Sequence, residues 1–485
     1  MRRQRFATLI ALAAMLAGCG GGGGSGSSSG APTAGTPPTS TPTPAAATAA
    51  SGCSLLDRQN WALATLKEWY LFPETLPASL SPAPYTTVDR YIDALTATAR
   101  DQHKDRFFTY LTSIKEETAY YNSGSSAGYG FRLGLDGSSR LFVTETFEGT
   151  SALNAGVDRG AQILAIGTSA SNLRTVSSIM TADGTDGLTE ALGPDTTGTA
   201  RVFQVSDAAG TRTVTLTKTD YSLSPVSSRY GAQVISDNGQ KFGYVNLRTF
   251  INTADKPLRD AFASFKAAGI NNIIVDLRYN GGGLVSVSET LANLMGGNRS
   301  SSDVVDRVSF RPEKSSNNTV TNFAVQPESV SPTRIAFIGT GGTASASEIV
   351  INAFVPYLHA NAGLIGSNTY GKPVGQIAID REACDDRLRV IAFAVQNAAG
   401  TGDYYDGLAT KVEASCQAYD DISRPLGDPL ESSTRSALDF LQGRSCSRIG
   451  GASGDASALS VSSTKRTLLM PERPSTAQRE VPGLF

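Results

Sequence analysis

The stretch from Ile335 to Leu358 constrains the fold more than any other part of the chain. The apolar run Ile335-Ala336-Phe337-Ile338 reads as a buried strand. Small residues, Gly342-Thr343-Ala344-Ser345-Ala346-Ser347, then make a turn into Glu348. Beyond it Ile349, Val350, Ala353, Phe354 and Leu358 recur at helical spacing. A strand that hands over to a helix through a short turn is the unit of an α/β layer, whose sites gather at the carboxyl ends of the strands. The same alternation repeats upstream. Lys241 to Leu247 reads as a strand, a helix follows around Leu258, Phe262 and Phe265, and Asn272 to Leu277 reads as the next strand. The glycine turn Gly281-Gly282-Gly283 then leads to a helix carrying Leu284, Val287, Leu291 and Leu294. Downstream, Ile377 to Ile379 and Leu388 to Val395 read as strands, and Ser436 to Leu441 as a closing helix.

Ser345 therefore sits where a strand meets a helix N-terminus. The first amides of a helix lack internal partners, and the helix dipole adds positive charge there. An oxyanion formed beside Ser345 would accept a hydrogen bond from the Ala346 N–H. A serine hydroxyl also needs a base. The chain has only two histidines, His103 and His359. His103 is far upstream, and His359 ends the very helix that Ser345 opens, which separates the two by about 1.5 Å per residue. A lysine serves instead if burial lowers its pKa from about 10.4 toward neutrality. Lys372 is the candidate, after the apolar segment Leu364-Ile365 and a loop. Gln376, four residues on, offers a neutral amide to hold it, where a carboxylate would raise its pKa again.

Three blocks carry a family resemblance: Thr343-Ala344-Ser345-Ala346-Ser347-Glu348, Gly371-Lys372-Pro373-Val374-Gly375-Gln376 and Ile274-Val275-Asp276-Leu277-Arg278-Tyr279-Asn280-Gly281-Gly282-Gly283. Together they resemble the C-terminal processing (tail-specific) serine proteases, peptidase family S41. The resemblance implies a crotonase/ClpP-like α/β core. It implies Ser345 as nucleophile, Lys372 as general base and Gln376 as the residue that orients it. It implies an oxyanion hole of backbone amides from Ala346 and one of Gly281, Gly282 and Gly283. Asp276 and Arg278 read as structural, a buried ion pair or turn-fixing contacts.

The rest of the chain frames this core. Met1-Arg2-Arg3-Gln4-Arg5 and the apolar run Phe6 to Met15 make a secretory signal peptide, too short to span a bilayer. Leu16-Ala17-Gly18-Cys19 resembles the bacterial lipobox, which implies cleavage before Cys19 and lipid on its thiol. Gly20 in the next position implies the outer membrane, with the protein facing the periplasm. Residues 1–18 are thus expected as a lipoprotein signal and 19–52 as a flexible Gly/Ser/Pro/Thr linker. Residues 53–115 are expected as an N-terminal helical domain, from the faces Leu55, Leu56, Trp61, Leu63, Leu66, Trp69, Tyr70 and Val88, Tyr91, Ile92, Leu95. Residues 124–221 turn β-rich, with strands at Leu141 to Thr144, Ile163 to Ile166, Val202 to Val205 and Thr213 to Leu216. This region resembles a PDZ domain. Gly128, Tyr129, Gly130 and Phe131 would be its carboxylate-binding loop, taking a peptide as an added strand and its C-terminus on backbone amides. Residues 222–447 are the expected protease core.

Of the five cysteines, Cys19 is assigned to lipid. Cys53, Cys384, Cys416 and Cys446 remain, an even number in an oxidising compartment, with three pairings open. Cys384 with Cys416 and Cys53 with Cys446 are favoured. Wide cysteine spacing and scarce histidine give no metal pattern, and no cofactor is expected. A net charge of −2 gives no electrostatic reason for nucleic acid. Residues 448–485, rich in Ser, Gly and Ala and then basic, are expected to be disordered. Their apolar end, Glu480-Val481-Pro482-Gly483-Leu484-Phe485, is also the kind of terminus a PDZ groove binds, in the same chain or a neighbour. The reading is a lipid-anchored serine endopeptidase acting on proteins or peptides with free C-termini, with a homo-oligomer left open. The alternative is a lipid-anchored PDZ adaptor on an inactive protease-like body.

Overall fold

The computed structural model describes residues 52–450 and 466–485. The expected signal peptide, Cys19 and nearly all of the linker lie outside them. Among the described residues no helix is long and apolar enough to cross a membrane.

A six-stranded sheet forms the centre of the α/β core. Its order is Ala232–Asp237, Gln240–Asn246, Asn272–Asp276, Arg334–Gly339, Ala362–Gly366 and Ala414–Gln417. The first pair is antiparallel and all the others are parallel. Alternate residues face opposite ways, as a pleated strand requires. Ile273, Val275, Ile335, Phe337 and Leu364 pack under the helices Asp255–Ala267, Val285–Met295 and Ala346–Leu358. Ile274, Ala336, Ile338 and Ile365 pack on the other face against Ser432–Leu441. Both faces are covered, so the strands read as unbroken apolar runs.

A second, antiparallel sheet runs Tyr110–Ser113, Asp386–Gln396, Val304–Phe310 and Thr319–Asn322, with Val374–Arg381 also paired to Asp386–Gln396. The N-terminal helices Leu55–Trp69 and Val88–Leu95 lie on it. Ala62, Leu66, Tyr70, Tyr91 and Ile92 share one cluster with Val374, Leu388, Val390 and Ile391. The N-terminal helices thus share a core with strands of the catalytic half instead of closing one of their own. A third sheet holds Phe131–Leu135, Leu141–Thr146, Gln162–Gly167, Ala200–Asp207 and Gly210–Thr217, with helix Val176–Leu192 packed on it. All described residues belong to one compact unit, Ala49–Phe485.

Two expectations are corrected. The disulfides join Cys53 to Cys384 and Cys416 to Cys446, not the favoured pairs. Helix Ser432–Leu441 folds back on the sheet, so Cys446 returns beside the strand that carries Cys416, where the Gln417 N–H donates to the Ser447 carbonyl at 2.8 Å. The tail expected to be disordered is ordered over 466–485. It forms the strand Thr467–Leu468 and the helix Thr476–Glu480, and it buries Leu469, Val481, Leu484 and Phe485. That apolar burial offsets the ordering entropy which composition alone set against it.

Candidate active site

Ser345 caps the helix Ala346–Leu358 with φ +54° and ψ −116°, a conformation costly for a residue with a Cβ. Its surroundings hold it there. The Ser345 N–H donates to Glu348 Oε2 at 3.0 Å. The Ala344 N–H and the Ser347 hydroxyl both donate to the Asn280 carbonyl at 3.0 Å. The glycine turn that follows strand Asn272–Asp276 closes against the serine. A Cβ on Gly282, where φ is +121°, would lie 2.8 Å from Ser345 Cβ and 3.2 Å from the Ala346 nitrogen. Only glycine lets the two backbones approach this closely. The Gly282 N–H is taken by Asn280 Oδ1 at 2.9 Å, and the Gly281 N–H donates to the Glu480 carbonyl at 2.9 Å.

Lys372 lies on the loop after strand Ala362–Gly366. Its N–H donates to Glu348 Oε2 at 2.8 Å, and the Gly371 N–H to Glu348 Oε1 at 2.7 Å. One carboxylate oxygen therefore binds the amides of both Ser345 and Lys372, so the two loops sit side by side. Glu348 is fully buried. Burial raises its pKa, opposed by the Thr369 hydroxyl and by these amides. The Lys372 amine donates to Gln376 Oε1 at 3.0 Å and lies 5.0 Å over the Phe108 ring. Among the described residues it makes no bond to Ser345. Burial draws its pKa down to about 8; Glu480 and Asp105 oppose the shift, and Arg479 and Arg389 add to it. Gln376 Nε2 in turn donates to the Phe108 carbonyl, and Arg106 Nη2 donates to the carbonyls of Tyr370, at 2.8 Å, and Gly371. A segment far upstream thus fixes both the lysine loop and its amide partner.

A cavity of about 1220 Å³ opens on these groups, lined by Phe108, Gly281, Ala344 and Lys372 on one side and by Glu480 and Pro482 of the tail on the other. Neither histidine enters it, and His359 Nδ1 pairs with exposed Glu413 at 2.7 Å. Among the described residues no three His, Cys, Asp or Glu side chains stand close enough to hold a metal ion. Asp276 and Arg278 form a fully buried ion pair at 2.7 Å, extended by Glu431. They brace the glycine turn from behind.

The structure thus brings Ser345, Ala346, Lys372, Gln376 and the glycine turn into one site. Gly128, Tyr129, Gly130 and Phe131 lie apart from it, on the edge of the third sheet. There the Gly130 and Phe131 amides donate to the Phe485 carboxyl oxygen at 3.0 and 3.3 Å. Sequence reasoning gave no role to Glu348, Asn280, Arg106 or Phe108. Glu348 had a signal, since Ser345-x-x-Glu348 is the spacing of a capping box. Arg106 and Phe108 had none, because their contact with the site spans more than 260 residues.

Residues 241–401 match the model of peptidase family S41. The carboxyl-terminal-processing protease of Synechocystis is 26% identical over 327 residues, 65% of this chain and 66% of that protein. The chloroplastic carboxyl-terminal-processing peptidase 3 of Arabidopsis thaliana is 27% identical over 350 residues, 70% of this chain and 63% of that protein. The chain thus spans just under two thirds of the length of these relatives. A crystal structure from Bacteroides fragilis, described as a candidate S41 protease, superposes with a TM-score of 0.61 at 21% identity, over 79% of this chain and 97% of that one. That likeness gives the fold: a mixed α/β architecture with S41 protease neighbours. Taken together, the comparisons relate residues 241–401 to peptidase family S41 and set carboxyl-terminal-processing peptidases among the proteins this chain is similar to.

Proposed function

We propose that this chain is a serine endopeptidase that cleaves proteins or peptides near their C-termini by a Ser345–Lys372–Gln376 mechanism. The observation that carries the reading is the single oxygen, Glu348 Oε2, that binds the amides of both Ser345 and Lys372. Substrate enters as an extended strand. The Ser345 oxygen attacks the scissile carbonyl carbon while its proton passes to the neutral Lys372 amine. The carbonyl oxygen becomes an oxyanion, held by the Ala346 N–H and a glycine-turn N–H. Of the turn, the Gly282 amide serves Asn280 within the turn itself, whereas the Gly281 amide is held by the tail's Glu480 carbonyl, which substrate would have to displace. Collapse of the intermediate expels the amine, which takes the proton from Lys372, and leaves an ester on Ser345. Water then attacks the ester with Lys372 again as base. The lysine must turn from Gln376 toward Ser345, and such catalytic hydrogen bonds often tighten only in the substrate complex.

Recognition in this reading falls to the PDZ-like region 124–221, with Gly128 to Phe131 as the site for a terminal carboxylate. The relatives named for carboxyl-terminal processing support a free C-terminus as the feature recognised. The reading also includes lipidation at Cys19 and a place on the periplasmic side of the outer membrane. Cys19→Ala should move the protein from the membrane to the soluble fraction. The decisive test pairs a serine-directed probe with cleavage of C-terminal peptides. Wild type should be labelled at Ser345 and cleave, while Ser345→Ala and Lys372→Ala should stay folded and do neither. A folded wild type that is neither labelled nor active would leave the adaptor alternative.

A further inference from the structure

The last twenty residues touch both sites at once. Strand Thr467–Leu468 pairs antiparallel with Gly134 and Leu135. Helix Thr476–Glu480 follows, capped by Ser475, whose Oγ accepts from the Gln478 N–H at 3.3 Å, and its last residues, Arg479 and Glu480, line the active-site cavity. The chain next returns to the same strand edge. The Leu133 N–H donates to the Gly483 carbonyl at 2.8 Å and the Phe485 N–H to the Phe131 carbonyl at 3.0 Å. Phe485 is 4% exposed, within the cluster that holds Tyr129, Phe131, Ile179 and Phe203. Its carboxyl carbon would lie only 2.9 Å from a Cβ on Gly128, so glycine there leaves just enough room for a terminal carboxyl.

At its other end the tail occupies the Gly281 amide with the Glu480 carbonyl. The Glu480 carboxylate accepts from the Tyr121 hydroxyl at 2.9 Å. The tail is helical at this point, since the Val481 N–H donates to the Ala477 carbonyl at 2.8 Å. A helical segment does not present its peptide bond as an added strand does. It takes the Gly281 amide without offering a bond to cut.

We propose that residues 476–485 are an internal ligand that competes with substrate for both the strand-edge groove and the Gly281 amide, and that proteins able to displace it carry a free C-terminus ending in a bulky apolar residue after leucine. The catalytic part of this inference rests on the peptidase reading, and the binding part does not. A ligand on the same chain acts at an effective concentration in the millimolar range. If its intrinsic Kd is about a tenth of that concentration, it would weaken an added competitor roughly tenfold.

The test uses a fluorescent peptide with the sequence of residues 476–485, as free acid and as amide, on full chains carrying Ser345→Ala. Deleting residues 483–485 should tighten binding of the acid about tenfold relative to the intact chain. The amide should bind at least tenfold more weakly than the acid. Adding four residues after Phe485 is a second variant, which turns the carboxylate into a peptide bond and leaves the packed helix in place. It should open the groove in the same way. Equal affinity of the acid for the intact, shortened and extended chains, or equal affinity of acid and amide, overturns the proposal. In chains that retain Ser345, shortening and extension should each raise kcat/KM for peptides ending in Leu-Phe. If binding changes as described while no chain cleaves any peptide, the internal ligand stands and the peptidase reading falls. If the chains cleave while binding does not change, the reverse holds.

Discussion

Replacing Gln376 by Glu tests the chemistry at its base. The Lys372 amine lies 3.0 Å from Gln376 Oε1, and burial has brought its pKa down to about 8. On the proposed mechanism the reactive form is neutral, so wild-type kcat/KM should climb with pH and level off above about 9. At pH 7 roughly one lysine in ten is neutral on that value. A carboxylate in place of the amide stabilises the ammonium. Unit charges 4 Å apart carry about 4 kcal/mol at an effective dielectric of 20. Halving this for a half-buried site leaves about 2 kcal/mol, or about 1.5 powers of ten in the proton equilibrium. The lysine would then titrate between about 9 and 10. Gln376→Glu should therefore lose about 30-fold in kcat/KM at pH 7 and recover most of it by pH 10. The assay is the full pH profile of kcat/KM on one C-terminal peptide, read against Gln376→Leu, which lacks both the amide and the charge. Gln376→Leu should lower the plateau without moving the midpoint upward. A Gln376→Glu profile with the wild-type midpoint would refute Lys372 as the group that must lose its proton.

Further outcomes follow from the same contacts. Glu348→Gln puts an amide donor where the Ser345, Gly371 and Lys372 amides converge, and should cut kcat at least about 100-fold while circular dichroism stays native. Gly282→Ala places a Cβ 2.8 Å from Ser345 Cβ at φ +121°, and should abolish cleavage and cost about 1–3 kcal/mol in denaturant unfolding. Asp306 is buried, with no hydrogen-bond partner for either carboxylate oxygen among the described residues; burial pushes its pKa up to about 7, with Glu289 adding to the shift and the Thr321 hydroxyl opposing it. A raised folded-state pKa means its stability contribution is present below about 4 and is lost as pH rises through about 7. Asp306→Asn should thus raise Tm at pH 8 by several degrees and leave it almost unchanged at pH 4. A constant difference across that range would remove Asp306 as the cause.

What the sequence revealed and what it hid divide along one physical line. The central strands were legible because both faces are buried, so Ile273 to Val275 and Ile335 to Ile338 are continuous apolar runs bounded by turns. The serine turn and the glycine turn were legible because their close approach needs small residues at fixed places. Helix Val176–Leu192 was not, since it carries Thr, Asp and Gly along most of its length and kinks at Gly184. Its apolar residues are too few to set a period. The disulfides were misread because their pairing depends on where helix Ser432–Leu441 returns, a tertiary fact with no local trace. The tail shows both sides at once. Ser, Gly and Ala ahead of it argued for disorder, and its apolar end argued for a groove. Composition averages over a segment, whereas Val481, Leu484 and Phe485 act singly, each entering a cluster formed by residues hundreds of positions away. A local reading identified most groups of the site, but not Glu348, the buried carboxylate that joins its two loops. Only its capping-box spacing after Ser345 announces it, yet the amides of both Ser345 and Lys372 depend on it for position.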